Sequence, residues 1–290
     1  MFISGFSIVR NAIKYDYPIV EAIRSILPLC DEFVVAVGKS DDDTLNLIRG
    51  INDTKIKIIE TVWDDSLREG GKVLADESNK AYAAISENAD WCFYIQGDEV
   101  IHEQFLPAIK SGMQKWKDDK NVEGLLFDYK HFYGSYDYVG DSRKWYRKEI
   151  RIVRKNNTIR SYKDAQGFRH TDGSKLKVKQ VDATVFHYGW VKPPEAQQAK
   201  QQSFHKMWHD DNWMKENVPA VNEFDYSQID SLSKFEGSHP QVMNERIQKM
   251  NWKFSFDPTK KKWGVKMRLL MFIERATGIR IGEYKNYTLF

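Results

Sequence analysis

Hydrophobic and polar positions in the first 130 residues alternate between two periods. Residues 2–9, 33–37, 56–62 and 91–95 carry short apolar runs that predict strands. Between them lie stretches of helical period. Residues 18–27 place Ile19, Ile23 and Ile26 on one face, with Pro18 suited to a first turn, and helices are also expected over about 43–51 and 72–86. Strands joined by helices imply right-handed crossovers and a mostly parallel sheet. In such sheets ligands bind at the carboxyl ends of the strands.

After Gln104 a helix carrying Phe105, Leu106, Ile109 and Met113 leads into a strand over 124–132, and then the rhythm fades. Residues 133–145 are rich in Gly, Tyr and Asp. Short strands of a mixed or antiparallel extension are expected at 149–154, 175–179 and 183–187. A polar helix is expected over 193–215, then irregular sequence to about 257, then a basic and apolar helix. The expected fold is α/β: a Rossmann-like, mostly parallel sheet with helices on both faces, plus a mixed α+β C-terminal extension. Its expected divisions are 1–132, 133–257 and 258–290.

A chain of 290 residues, 41% hydrophobic, is long enough for one large α/β domain or a domain with an appendage. The formal net charge of +3 is small for that length and the cations are dispersed until the last quarter, so nucleic acid is not an expected partner. Cys30 and Cys92 sit in apolar runs and are expected to be packed thiols. The N-terminus enters strand-like sequence at once, without the pattern of a secretory signal, and no apolar run reaches a membrane-spanning length. A cytoplasmic location is expected. The Asn-x-Thr tripeptides at Asn52, Asn156 and Asn286 then carry no meaning.

The chemistry concentrates where the strand at 91–95 ends in two adjacent carboxylates, Asp98 and Glu99. A divalent cation such as Mg²⁺ or Mn²⁺ takes carboxylate oxygens and keeps positions open for substrate phosphates. The plainer alternative is that the pair caps a helix beginning near His102. A second polar loop, residues 38–44, follows the second strand and belongs to the same rim.

The ordered set of segments resembles the family-2 type of GT-A glycosyltransferases, in particular bacterial enzymes of the lipopolysaccharide-core and capsule sort. The resemblance rests on Ser7-Ile8-Val9-Arg10-Asn11, on Asp31-Glu32-Phe33-Val34-Val35 leading to Ser40-Asp41-Asp42-Asp43-Thr44, on the segment from Trp91 to Glu99, and on His187-Tyr188-Gly189-Trp190. It implies that residues 1–132 bind a nucleotide sugar of the UDP or GDP type and that 133–257 face the acceptor. It implies hexosyl transfer to a glycan or glycolipid hydroxyl in cell-envelope polysaccharide synthesis, with Arg10, Asn11, Asp42, Lys72, Gln96 and Asp98 toward the donor. By the resemblance Asp98 matches the second Asp of the family's DxD element and Glu99 the acidic residue after it, both toward the metal, with Gln96 in place of the first Asp. His187 is the candidate for a further metal ligand, against a plain role as a core histidine. Val37 and Gly38 stand where the family often has an Asp for the base or ribose.

The resemblance, together with the lack of an obvious nucleophile, implies inversion, and inversion needs a general base near the acceptor hydroxyl. Within residues 162–170 the candidate is Asp164, with His170 in reserve; as an ordinary feature Asp164 would start a turn before Gly167. Arg151 and Arg154 are candidates for diphosphate contacts, or else lie on a solvated strand face. Other signals carry less. His205 and His209 have the spacing of zinc proteases, but Lys206 replaces the glutamate. Gly70-Gly71-Lys72 lacks the rest of a P-loop. The segment from Lys260 through Ile273 is either a peripheral foot on anionic lipid or a helix packed on the domain. Competing functions are a nucleotidyltransferase and an inactive nucleotide- or carbohydrate-binding protein.

Overall fold

The computed structural model describes residues 1–67, 70–218 and 221–290. Its first half follows the alternation in the sequence: β1 (Ile3–Val9), α1 (Ile19–Ile26), β2 (Glu32–Gly38), α2 (Thr44–Arg49), β3 (Ile56–Thr61), α3 (Lys72–Ala83) and β4 (Trp91–Tyr94). The pairs β1–β2, β1–β4 and β2–β3 are all parallel, giving the order β3-β2-β1-β4. Every residue of β1 and β4 is buried, as expected of strands covered on both faces. One core layer joins Ile19, Ile23 and Ile26 of α1 to Phe33, Val35 and Phe93. On the opposite face Val73, Ala81 and Tyr82 of α3 meet Phe6, Val34 and Tyr94. This is the α/β arrangement expected, with an acidic tip following the fourth strand.

Downstream come β5 (Glu99–Ile101), α4 (Leu106–Trp116), β6 (Gly124–Tyr133), β7 (Ser135–Gly140), β8 (Lys148–Val153), β9 (Ile159–Tyr162), β10 (Gly167–His170) and β11 (Lys177–Trp190). They are followed by α5 (Pro194–Lys206), α6 (Asp211–Asn217), β12 (Leu232–Lys234), α7 (Asn244–Gln248), α8 (Val265–Thr277) and β13 (Thr288–Leu289). β8 pairs antiparallel with both β4 and β6, so the mixed extension continues the same sheet. β9 and β10 form a separate antiparallel pair whose connecting turn overhangs the carboxyl ends of the parallel strands.

Several local expectations are corrected. The strands expected at 175–179 and 183–187 are one strand, β11, which begins at Lys177; the adjacent polar residues Lys179 and Gln180 put the inward alternation out of phase and the strand absorbs this as a register shift against β6 between Gln180 and Thr184. The polar helix over 193–215 is two helices: α5 stops after Lys206, and the Asp210 side chain caps α6 by accepting from the Trp213 N–H. Residues 133–145, left without an element by their composition, contain β7. The turn at Glu103–Phe105 is capped by His102, whose imidazole accepts from the Gln104 N–H, so Asp98 and Glu99 have no capping task there. Cys30 and Cys92 are buried free thiols.

Candidate active site

A cavity of about 850 Å³ opens above the carboxyl ends of β1 and β4, within the size range of small-molecule sites. Its walls include Arg10 and Asn11 after β1, Asp41 after β2, Gln96 and Asp98 after β4, Asp164 in the β9–β10 turn, and His187 on β11. Segments far apart in sequence therefore meet on one rim.

Asp98 is almost wholly buried, and Lys200 of α5 donates to its Oδ2 at 2.9 Å. Burial alone would raise its pKa, but Lys200, His187 and Lys192 hold it well below the usual carboxylate range. His187 Nε2 stands 3.7 Å from Asp98 Oδ1. Burial pushes the His187 imidazole down to about 4, and burial together with His187 pushes His131 down to about 3, so both rings are neutral at pH 7. Their tautomers follow from their partners. His131 Nε2 lies 2.8 Å from the Tyr146 carbonyl oxygen, which only accepts, so that nitrogen carries hydrogen. His131 Nδ1 then accepts from His187 Nδ1 at 3.2 Å, which leaves the His187 Nε2 lone pair facing Asp98. Gly189 makes this approach possible: a β-carbon there would lie 2.7 Å from His187 Nε2 and 2.8 Å from Asp98 Oδ2.

Glu99 behaves differently from its neighbour. Expected among the metal ligands, it has both oxygens engaged within the protein: Arg151 donates to both, Tyr129 donates to Oε1 at 2.7 Å, and the Gln96 N–H donates to Oε2 at 3.1 Å. Arg151 is likewise removed from any diphosphate, and Arg154 donates to the carbonyls of Val122, Trp116 and Asp119 beneath the sheet. Among the described residues no three His, Cys, Asp or Glu side chains converge on one point. The donor set still fits a hard divalent cation. Such an ion fills most of its shell from substrate phosphate and water, and here a carboxylate faces a neutral imidazole lone pair.

The remaining candidates fall into place unevenly. Arg10 lines the cavity with its guanidinium 5.6 Å from the Trp63 ring and pairs with Asp65 at 2.9 Å. Asn11 sits at φ 54° and clasps the loop after β2, its Oδ1 accepting from the Asp41 N–H at 2.7 Å. Asp42 turns back into its own loop, accepting from the N–H groups of Lys14 and Thr44, so Asp41 is the carboxylate on the cavity wall. Lys72 heads α3, whose next residues Val73 and Leu74 line the cavity. Gln96 donates to the Ala165 carbonyl at 3.1 Å and so ties the acidic tip to the turn bearing Asp164. At the end of β2, where no Asp stands, a β-carbon on Gly38 would lie 2.3 Å from Trp63 Nε1; the indole fills that corner.

Asp164, the candidate base, lines the cavity from the β9–β10 turn. Burial raises its pKa, although nearby N–H groups, Lys163 and Arg151 oppose the rise. Its neighbours Lys163 and Ala165 both adopt left-handed backbone, φ 53° and 59°, a costly arrangement for side chains other than glycine. The turn is braced by Arg151, which donates to the Gln166 carbonyl at 2.7 Å, and by Gly71, where a β-carbon would lie 2.8 Å from Asp164 Cβ. His170 lies at the far end of β10, paired with Glu123 at 3.0 Å and Thr158 at 3.1 Å. A second cavity of about 300 Å³ shares Lys144, Trp145, Tyr146, Asp164 and Gln166 with the first, so Asp164 stands on the partition between two chambers.

Lys200, Trp63 and Tyr17 were not legible as site residues. Lys200 lies in a polar helix, and its position is visible only once α5 packs across the tip. His205 and His209 of the protease-like spacing pack with Trp213, whose ring is 3.5 Å from that of His209. Gly70 and Gly71 form the left-handed lead into α3, which Lys72 begins.

No family model and no curated protein matches this chain. Among solved structures it is similar to Staphylococcus aureus TarS, at 16% identity and TM-score 0.42 over 70% of this chain and 39% of that one. A TarS 1–349 structure in complex with UDP gives 16% and 0.40 over 70% and 64%. Glucosyl-3-phosphoglycerate synthase from Mycobacterium tuberculosis, in complex with Mn²⁺, UDP and phosphoglyceric acid, gives 20% and 0.30 over 46% and 43%. The matches span less than two thirds of each of those chains.

Proposed function

We propose that this chain is a nucleotide-sugar-dependent glycosyltransferase that moves a hexosyl group, with inversion, to a hydroxyl of a glycan or glycolipid. The observation that carries this reading is the meeting of Asp98, the His187 lone pair and Asp164 in one cavity at the carboxyl ends of parallel strands. The donor's nucleotide lies along the β1 and β2 loops, near Asn11, Asp41 and Trp63, and its diphosphate reaches the β4 tip. Asp98 and His187 are the residues that hold a divalent cation there. When bound, that ion neutralises charge developing on the diphosphate leaving group.

The protein's own part in transfer is positional and basic. The acceptor enters from the partition bearing Asp164, whose carboxylate takes the proton from the attacking hydroxyl. The new bond forms from that oxygen to the anomeric carbon as the bond from carbon to diphosphate oxygen breaks, and the electron pair leaves with the nucleoside diphosphate. His131, Trp145 and Tyr146 wall the chamber and limit water around the sugar.

Titration calorimetry with UDP and GDP, with and without Mn²⁺, followed by a panel of nucleotide sugars assayed for transfer and slow hydrolysis, tests the reading. Cation-linked nucleotide binding with donor turnover supports it. Glycan binding without any nucleotide binding would replace it with the inactive binding protein.

A further inference from the structure

Lys200 is the cation in direct contact with Asp98 and takes no part in the transfer proposed for Asp98, His187 and Asp164. Its ammonium lies 2.9 Å from Asp98 Oδ2 and 3.0 Å from the Gly189 carbonyl, and 5.1 Å from the centre of the Tyr17 ring. Its side chain is only 13% exposed. Lys192 lies close by, wholly buried, its ammonium on the Tyr15 carbonyl at 2.8 Å and 4.4 Å from the same Tyr17 ring. Burial and then the charge of Lys200 hold Lys192 well below the usual lysine range.

That arrangement sets up a competition. A divalent ion on Asp98 would meet an ammonium already bonded to the same carboxylate, and like charges a few ångströms apart in a partly buried site repel strongly. An arriving diphosphate changes the balance, because it offers the ammonium new anionic oxygens. Lysine is suited to such a transfer, being a point charge on a flexible four-carbon stem.

We propose that Lys200 is a diphosphate-binding residue that changes partner: it neutralises Asp98 in the donor-free chain and moves to the donor's phosphate oxygens when nucleotide and cation enter together. The proposal rests on the nucleotide-sugar reading and adds that cation and nucleotide bind as a coupled pair. Coupling of this kind is reciprocal: nucleotide tightens cation binding by the same factor as cation tightens nucleotide binding.

The test titrates Mn²⁺ by its electron paramagnetic resonance signal, alone and with UDP or GDP, on the wild type, Lys200→Met and Lys200→Arg. Thermal melts establish that each variant is folded. Removing the ammonium is expected to tighten Mn²⁺ binding without nucleotide about tenfold and to reduce the nucleotide-induced gain by about the same factor, leaving the part due to direct contact of ion and diphosphate. Lys200→Arg, which keeps the charge, is expected to retain the coupling. Mn²⁺ binding alone to Lys200→Met that is no tighter than to the wild type would overturn the proposal. Should neither nucleotide bind any of the proteins, the glycosyltransferase reading fails, while the Mn²⁺-only titration still decides whether Lys200 competes for Asp98.

Discussion

Glu99 and Arg151 meet fork to fork at 2.8 Å and 2.7 Å with neither side chain exposed to solvent. Through this pair the acidic tip after β4 is joined to β8, and through the Arg151 bond to the Gln166 carbonyl it is joined to the turn that carries Asp164. Two adjacent carboxylates thus divide their work: Asp98 faces the cavity and Glu99 holds the scaffold beneath it. Breaking a buried pair by removing one partner strands the other charge. Glu99→Ala is expected to lower unfolding free energy by about 3–5 kcal/mol in urea melts, and Glu99→Leu combined with Arg151→Met to recover much of that loss. Equal stability of Glu99→Ala and wild type would remove the scaffold role.

Glu149 shows the consequence of Arg151 being engaged elsewhere. It lies two residues away on β8, yet Arg151 reaches Glu99, and Glu149 keeps only uncharged partners, the N–H of Ile150 at 2.9 Å and the Asn286 side chain. Burial raises its pKa to about 7, against the opposing pull of Arg151. A raised value means that the native state holds a proton the unfolded chain has lost. Stability from this group is therefore complete below about pH 4.5 and is lost as pH rises through about 7. Glu149→Gln removes that loss. Its melting temperature should exceed that of wild type at pH 8, by roughly 3 kcal/mol in free energy as an upper bound, and match it near pH 4.5. A gap that does not widen with pH would refute the assignment.

Period and order made the sheet legible. Apolar runs at β1, β2, β3 and β4 are unambiguous when separated by helices such as α1, with Ile19, Ile23 and Ile26 on one face, and the acidic tip had to fall at a strand end. What stayed hidden depends on side-chain choice in three dimensions. Adjacency in sequence cannot tell that Glu99 turns toward Arg151 while Asp98 turns outward, since successive residues at a strand's start face opposite ways. Asp41 and Asp42 are interchangeable in the sequence, and only the clasp by Asn11 separates them. Lys200 gave no signal because its partner lies about a hundred positions upstream.

Asp164→Asn separates chemistry from binding. Asparagine preserves shape and can still accept from the turn's N–H groups but takes no proton at neutral pH. Transfer is expected to fall by about 10²–10⁴-fold with little change in nucleotide affinity. Near-normal turnover would move the base elsewhere, and reduced nucleotide binding would make Asp164 a structural residue.

The C-terminal helix presents another measurable surface. Val265, Leu269 and Phe272 of α8 are exposed at helical spacing, while Lys266, Arg268 and Arg275 flank them. Among the described residues no helix is long and apolar enough to cross a membrane. An amphipathic basic helix suits the headgroup region of an anionic bilayer. In vesicle co-sedimentation, binding is expected with phosphatidylglycerol and not with neutral phosphatidylcholine, to weaken with salt, and to be lost in Leu269→Glu/Phe272→Glu. Transfer to a soluble acceptor should be unchanged in that variant. Absence of binding to both vesicle types would leave α8 as packing alone.

Gly189 offers the most economical perturbation of the tip, because it changes no charge and no hydrogen-bonding group. Any β-carbon there must displace the His187 ring, the Asp98 carboxylate or the backbone of β11, since contacts of 2.6–2.8 Å lie well inside van der Waals range. His187 is held from behind by His131, and His131 by the Tyr146 carbonyl, so the ring has little room to retreat. The Asp98 carboxylate is then the group that must shift, and shifting it parts its oxygens from the His187 lone pair. Gly189→Ala is therefore expected to weaken Mn²⁺-linked nucleotide binding by about tenfold or more while costing about 1–3 kcal/mol of stability, the usual penalty of overpacking. Calorimetry and urea melts on the same preparation separate the two effects. Unchanged nucleotide affinity in a destabilised Gly189→Ala would show that Asp98 and His187 tolerate displacement, and would count against their acting together on one ion.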